Sequence, residues 1–194
     1  MLVPLIGIRD SGYAIRTRRL TDAAIVIRTA SADDADAIHE LIDEHLTEGH
    51  LLPRELGDIL VHAHRFVVAV QDDEVLACAD LAPLSHAVAE VRSMVVTREA
   101  RGGGVGRRIV NELVRRATAA GFEKLCAFTH APAYFIHMGF SIVPHSWLLE
   151  KVFTDCLKCP HFRQCGQYAM VVPLDSAFDA ERGYAASAPA ATLA

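Results

Sequence analysis

At 194 residues the chain is long enough for one domain with a full hydrophobic core, and two domains of ordinary size would be crowded. Hydrophobic residues make up 52% of the chain, which excludes a disordered protein. The formal net charge of −5 argues against a nucleic-acid partner, because phosphate binding needs clustered Lys and Arg. No apolar run reaches the ~18 residues of a membrane span, so we expect no membrane partner and a cytoplasmic location.

The first third of the chain predicts a strand and two helices. Residues 1–22 lack sustained periodicity and are expected to form a poorly ordered leader. β-Branched residues predict a strand over 23–30, and Ser31 can cap the helix that follows. That helix would bury Ile38, Leu41, Ile42 and Leu46. Pro53 is expected to open a second short helix.

The remainder predicts alternating strands and helices. Residues 65–84 favour a hairpin that turns at Asp72 and Asp73. Further strands are predicted over 89–96, 124–129, 139–144 and 168–174, with helices over 105–119, capped by Gly121, and 132–138. The order indicates one mixed α/β (α+β) domain over 23–175, with an early meander and later βαβ crossovers. The alanine-rich residues 176–194 are expected to form a mobile tail.

Three consecutive glycines stand between the strand 89–96 and the following helix, in the stretch VVTREARGGGVGRRIV. Backbone N–H groups and the positive end of a helix dipole suit such a loop to a phosphate. Glycine permits positive φ angles and close approach of the phosphate oxygens. The spacing matches neither a dinucleotide fingerprint nor a Walker loop. The glycines alone are equally typical of a flexible turn.

The flanking residues sharpen this interpretation. The segment from Arg101 to Gly106 resembles the R-G-x-G-x-G pyrophosphate loop of the GNAT superfamily of acetyl-CoA-dependent N-acetyltransferases. Downstream, AYFIHMGF at 133–140 is similar to the superfamily's short helix that ends in a glycine-phenylalanine strand start. The resemblance covers about residues 25–174. It implies the GNAT fold, a mixed and mostly antiparallel central sheet flanked by helices and splayed at strands four and five.

Within the superfamily, the segments IRTASADDADAIHELI, LLPRE, EVRSMVV and KVFTDCLKCPHFRQCGQYAM resemble the stand-alone bacterial N-acetylglutamate synthase type. That resemblance implies transfer of an acetyl group from acetyl-CoA to the α-amine of L-glutamate, in arginine biosynthesis. The small-molecule partner would then be glutamate. Exposed sheet edges make a homodimer an additional expectation.

The resemblance also implies a cofactor site. Backbone N–H groups where the fourth strand splays would stabilise the oxyanion, which corresponds here to Met94, Val95 and Val96. The glycine loop and the helix start would bind the pyrophosphate. The residues assigned to it are Arg101, Gly102, Gly103, Gly104, Val105, Gly106 and Arg107.

The reaction needs a base, because an ammonium group is not a nucleophile. Glu90 is the candidate, since it lies eleven residues before Arg101, where related acetyltransferases carry a glutamate base. Strand alternation predicts that Glu90, Arg92 and Met94 share one face. The alternative for Glu90 is a strand-edge carboxylate paired with nearby cations or solvent.

Cations are needed for the two carboxylates of a glutamate substrate, and a guanidinium fits each carboxylate bidentately. Arg92 and Arg54 are the main candidates, and Lys151 is a third. For Arg54 and Lys151, surface charge is the alternative interpretation.

The general acid is where the chain departs from the superfamily pattern. Many members place a tyrosine four residues before the glycine of the Gly-Phe pair, and that position holds Phe135. Its neighbour Tyr134 is the candidate acid, although one residue on a helix turns a side chain by about 100°. Tyr168, water or the substrate ammonium are alternatives, and Tyr134 could instead pack against the cofactor.

Cys156, Cys159 and Cys165 form a C-x2-C-x5-C cluster. Three thiols with His161 between them could make a zinc site, but the spacing also fits ordinary structural thiols. Cys78 and Cys126 lie in apolar segments and are expected in the core. Two other functions stay open: acetylation of a different amine, including another amino acid or a protein N-terminus, and a non-catalytic sensor of acetyl-CoA or arginine.

Overall fold

A computed structural model describes residues 24–48, 51–174, 178–179 and 184–185. One sheet contains β1 (Val26–Thr29), β2 (Phe66–Gln71), β3 (Glu74–Pro83), β4 (Val88–Val96), β5 (Lys124–Thr129), β6 (Ser141–Val143) and β7 (Tyr168–Pro173). The helices are α1 (Ala35–Leu46), α2 (Leu56–His62), α3 (Val105–Ala119), α4 (Pro132–Ile136) and α5 (Leu149–Thr154). A separate short pair contains β8 (Phe178–Asp179) and β9 (Tyr184–Ala185).

The seven-stranded sheet has the order β1-β2-β3-β4-β5-β7-β6. Its neighbours are antiparallel except β4 and β5, which are parallel and joined through α3. The pairing of β4 with β5 ends at Val91 and Ala127, although β4 continues to Val96. The predicted mixed sheet, its helices and its splay between the fourth and fifth strands are therefore confirmed.

Helices cover both faces of the sheet. One apolar cluster joins α1 and α2 to Phe66, Val68 and Val95, and the larger cluster joins α3 to Val67 and Ala69. Alternate residues of β2 thus point to opposite layers, as strand geometry requires. The predicted core cysteines, Cys78 and Cys126, are fully buried.

The hairpin and the later elements form close to where the sequence predicts them. Asp72 and Asp73 join β2 to β3 with φ angles of 49° and 62°, the positive values that a tight hairpin turn uses. α3 and β5 have the predicted bounds, and Gly121 follows α3 with a φ of 82°.

The helix predicted to open at Pro53 begins later, at Leu56, so that prediction is wrong by three residues. Glu55 is extended, with a ψ of 134°, and its carbonyl accepts the N–H groups of Asp58 and Ile59. The first hydrogen-bonded turn therefore starts after Glu55, and Arg54 stays in an extended segment.

The predicted leader 1–22 lies outside the described residues, and of the predicted tail the structure describes only β8 and β9. β1 and β6 form the edges of the sheet, and the homodimer stays a prediction. Among the described residues, no helix combines the length and the apolar character that crossing a membrane requires.

The start of α1 is fixed by a charged capping arrangement. Ser31 precedes a short 3-10 turn, and its backbone N–H donates to Asp34 at 2.7 Å. The two terminal guanidinium nitrogens of Arg28, Nη1 and Nη2, donate to the same carboxylate, each at 2.7 Å. The hydrogen bonds from Arg28 lower the pKa of Asp34 to about 2. The ionised carboxylate thus stabilises the junction between β1 and α1.

We predict that Asp34→Asn lowers the free energy of unfolding by about 1 to 2 kcal/mol at neutral pH. Because the folded pKa lies below the unfolded value, the contribution of Asp34 is complete above about pH 4 and disappears toward pH 2. Urea denaturation between pH 2 and 7 tests this. The difference between wild type and variant should shrink over that acidic interval, and a constant difference would contradict the assignment.

Candidate functional site

A cavity of about 1450 Å³ lies where β4 separates from β5. The C-terminal half of β4, the loop from Arg101 to Gly106, the start of α4 and the segment from Lys151 to Cys165 line it. Every residue predicted to act in catalysis or substrate binding lines this cavity, as do all three clustered cysteines. Of the predicted cofactor residues, Gly103 alone is absent from the lining.

The glycine loop presents the start of α3 to the cavity. Gly102 and Gly104 have φ angles of 79° and 77°, which a residue with a Cβ rarely adopts. Arg108 makes the first intrahelical hydrogen bond of α3, to Gly104. The earlier N–H groups in the helix lack intrahelical acceptors and suit an anion. Arg107 lines the cavity at this turn and has no ionic partner within the described ranges.

Gly106 is required by packing. A Cβ at this position would lie 2.4 Å from the hydroxyl oxygen of Tyr134 and 3.2 Å from the Cε of Met94. It would also lie 3.3 Å from a methyl group of Val96. The helix start is therefore in direct contact with β4 and with the tyrosine predicted as the acid.

Arg101 turns back toward the sheet. Its Nε donates to the carbonyl of Val96 at 3.0 Å, and its Nη2 donates to Glu48 at 3.0 Å. The side chain thus connects the glycine loop to the end of β4 and to Glu48, which follows the C-terminal end of α1. Arg101 therefore supports the loop. Arg107, which lacks an ionic partner among the described residues, is the more available cation at the helix start.

The predicted alternation along β4 is wrong beyond Arg92. Ser93 has a φ of 48°, and the β3–β4 register shifts between Cys78 and Asp80. This bulge moves Met94 and Val96 to the layer of α3. Glu90 and Arg92 remain together, joined by a hydrogen bond, while Met94 faces the other side.

Glu90 belongs to a compact cluster of four charges. The Nε of Arg92 donates to its carboxylate at 2.5 Å, and the Nζ of Lys151 donates at 2.8 Å. Asp155 accepts from the same two cations, from Lys151 at 2.9 Å and from Nη2 of Arg92. Glu90 is buried, and Lys151 also lies 5.4 Å from the centre of the Phe128 ring. Two cations and two anions balance in the cluster.

Arg54 is held by a second group of carboxylates. It donates to Asp58 at 2.6 Å and to the hydroxyl of Ser93 at 3.1 Å. It also approaches Asp80, at 3.4 Å, and Asp80 is fully buried and paired with Arg65. Arg54 therefore lies in the cavity wall and stabilises the β4 bulge through its hydrogen bond to Ser93. It is not merely a surface charge.

Tyr134 and Phe135 take different environments, as their 100° separation on α4 requires. Phe135 is buried and packs edge-on against Phe140 at 5.1 Å. Tyr134 lines the cavity and places its hydroxyl against Gly106. Burial raises the pKa of that hydroxyl to about 12. Tyr168, the alternative donor, does not line the cavity.

The three clustered cysteines are free thiols. Burial raises the pKa of the Cys156 thiol. Within residues 24–48 and 51–174, no group of three His, Cys, Asp or Glu side chains is placed to hold a metal ion. The possible zinc site is therefore unsupported, and the interpretation as structural thiols is retained.

Asp155, Asp80 and the bulge at Ser93 were not predicted from the sequence. Asp155 lies four residues after Lys151 at the end of a helix, a spacing that predicts an ion pair. That signal was available in the sequence. The partners of Asp80 come from distant segments, and the bulge leaves no local pattern.

Residues 33–140 match the model of the acetyltransferase (GNAT) family. An uncharacterized N-acetyltransferase of Chlorobaculum tepidum is 30% identical to the chain over 148 residues, covering 76% of the chain and 96% of that protein. An amino-acid acetyltransferase of Mycobacterium tuberculosis is 27% identical over 142 residues, covering 72% of the chain and 81% of the relative.

The fold is similar to that of N-acetylglutamate synthase from Neisseria gonorrhoeae, solved with coenzyme A and N-acetyl-glutamate. The TM-score is 0.71 at 24% sequence identity, over 80% of this chain and 36% of that one. The chain thus spans about a third of that protein's length, and at this identity the likeness shows the fold alone.

We predict that Gly106→Ala destabilises the domain by about 1 to 3 kcal/mol, because the new methyl group must displace Tyr134 and Met94. Gly57→Ala is the control. Gly57 has open space around it within α2, so alanine there should be neutral or slightly stabilising. Thermal denaturation of both variants tests this. Equal melting temperatures for the two variants would show that the packing around Gly106 accommodates a methyl group.

Proposed function

Because the chain belongs to the GNAT acetyltransferase family, we propose that it transfers the acetyl group of acetyl-CoA to the α-amine of L-glutamate. One observation carries this proposal: a single cavity joins the glycine loop at the start of α3 to the partly buried cations Arg92 and Lys151. The first feature suits the pyrophosphate of the donor and the second suits the carboxylates of the acceptor.

The donor would bind along the splayed strands. The pyrophosphate would lie on the N–H groups at the start of α3, with Arg107 beside it. The thioester would follow β4 from Val96 toward Met94, where the strand has parted from β5. Backbone N–H groups in this part of β4 are the proposed donors to the oxyanion. Acetyl-CoA is therefore the proposed co-substrate.

The acceptor would occupy the other end of the cavity. Arg92 and Lys151 would bind the side-chain carboxylate, and Arg54 lies on the same wall for the α-carboxylate. Arg92 is about three-quarters buried, and it lines the cavity. This geometry favours a free amino acid over a protein N-terminus. The name of the Mycobacterium tuberculosis relative, an amino-acid acetyltransferase, supports the same choice.

The proposed chemistry uses Glu90 and Tyr134. Glu90 takes a proton from the substrate ammonium, directly or through water, and the amine then attacks the thioester carbonyl carbon. When the tetrahedral intermediate collapses, the C–S bond breaks, the thiolate of coenzyme A leaves, and the nitrogen loses its second proton to water. The hydroxyl of Tyr134 lines the cavity and is protonated at neutral pH, so it is the proposed proton donor to that thiolate.

Release of free thiol from acetyl-CoA, measured with each of the common amino acids, tests the proposed function. We expect L-glutamate to give the highest kcat/KM and L-glutamine, which has the same size without the second charge, to be at least 100-fold poorer. A preference for a neutral amino acid would contradict the assignment of glutamate. No thiol release with any amine would favour a sensor instead.

We predict that Glu90→Gln lowers kcat about 100-fold and leaves the KM for acetyl-CoA close to wild type. Tyr134→Phe should also lower kcat, and the loss should be smaller with a thioester whose leaving thiol is more acidic. Tyr168→Phe is the control, since Tyr168 lies outside the cavity. Near-normal turnover of Glu90→Gln at every pH would remove Glu90 from the mechanism.

A further inference from the structure

The cations assigned to the acceptor already hold carboxylates of the chain itself. Arg54 is paired with two aspartates, and Arg92 and Lys151 share Glu90 and Asp155. The internal carboxylates lie on Nε and Nη2 of Arg92 and on Nζ of Lys151, so a substrate carboxylate that approaches these atoms competes with them. An acidic acceptor that binds between the two cations would therefore take the place of one internal carboxylate.

We propose that Asp155 is the carboxylate that is exchanged. It occupies the subsite between Arg92 and Lys151 until an acidic substrate binds, and it then moves aside. It is thus a residue that determines specificity, because the side chain of the acceptor must carry a carboxylate to take its place. This inference rests on the proposed acetylation of an acidic amino acid.

The surroundings of the two carboxylates distinguish them. The side chain of Glu90 is 3% exposed and comes from the middle of β4, paired across to Cys126 in the sheet. The side chain of Asp155 is 34% exposed and follows the end of α5. Both carboxylates line the cavity, but Glu90 is buried within the sheet, whereas Asp155 is partly exposed at the end of a helix.

Lys158 provides a new partner for the displaced side chain. Its backbone N–H donates to the carbonyl of Asp155 at 3.1 Å, which closes one 3-10 turn. Side chains three residues apart in such a turn lie above one another. Lys158 lines the same cavity and has no carboxylate partner in the part of the chain that the structure describes. The carboxylate of Asp155 can therefore transfer from Arg92 and Lys151 to Lys158.

The exchange explains how acidic acceptors would be selected. A substrate carboxylate restores both ion pairs that Asp155 gives up, and Asp155 gains a pair with Lys158, so no ion pair of the cluster is lost. A neutral side chain would leave Arg92 and Lys151 with one carboxylate between them in a largely buried site. An unpaired buried charge is costly, so a neutral acceptor is rejected by the site itself.

Binding of glutarate, a dicarboxylate without an amine, tests the exchange by calorimetry on the full chain. Asp155→Asn removes the internal competitor, so glutarate should bind about tenfold more tightly. The KM for L-glutamate should fall similarly, while the KM for acetyl-CoA stays unchanged. Glu112→Gln is the charge-matched control, because Glu112 pairs with two arginines on α3 outside the cavity. It should bind glutarate as wild type does.

Lys158→Gln is a second variant that leaves the four-charge cluster intact. It should weaken glutarate binding about threefold in the wild-type background and have no effect beside Asp155→Asn. Equal or weaker glutarate binding by Asp155→Asn, in an enzyme that acetylates glutamate, would overturn the exchange and leave the proposed function standing. An enzyme that neither acetylates glutamate nor binds glutarate would overturn both.

Discussion

The bulge of β4 at Ser93 is the constraint on which the cavity depends. It holds a serine at a φ of 48°, an unfavourable angle that Arg54 and the Cys78 thiol stabilise through hydrogen bonds to Ser93. Before the bulge, Glu90 and Arg92 point toward α5. After it, Met94 and Val96 support the start of α3. One irregular residue thus separates the proposed acceptor end of the cavity from the proposed donor end.

Charge balance is the second organising feature. The four-charge cluster is neutral as a whole, and so is the group of Arg54 and Arg65 with Asp58 and Asp80. Isolated charges at these positions would be heavily penalised, because burial removes their hydration. The domain therefore holds these partly buried cations together with internal carboxylates. In the proposed function, recognition of an anionic acceptor is an exchange of partners.

Much of the fold follows from local patterns in the sequence. The bounds of α3 and β5 come from their periodicity, and the Asp72–Asp73 turn comes from its composition. The start of α2 at Leu56 does not follow from a local pattern, because it depends on hydrogen bonds accepted by Glu55. In the site, family resemblance indicated Glu90 and the glycine loop, and Arg92 followed from its place beside Glu90 on β4. The proposed role of Asp155 could not be predicted, because it depends on distances between β4 and α5 that only the folded structure provides.

A crystal structure of the chain with coenzyme A and N-acetyl-L-glutamate would test the central claim most directly. We expect Arg92 and Lys151 to bind a carboxylate of the ligand, with Asp155 turned toward Lys158 and Glu90 unmoved. The pyrophosphate should lie on the first turn of α3. A complex in which Asp155 still bridges Arg92 and Lys151, with the ligand carboxylates bound elsewhere, would contradict the account.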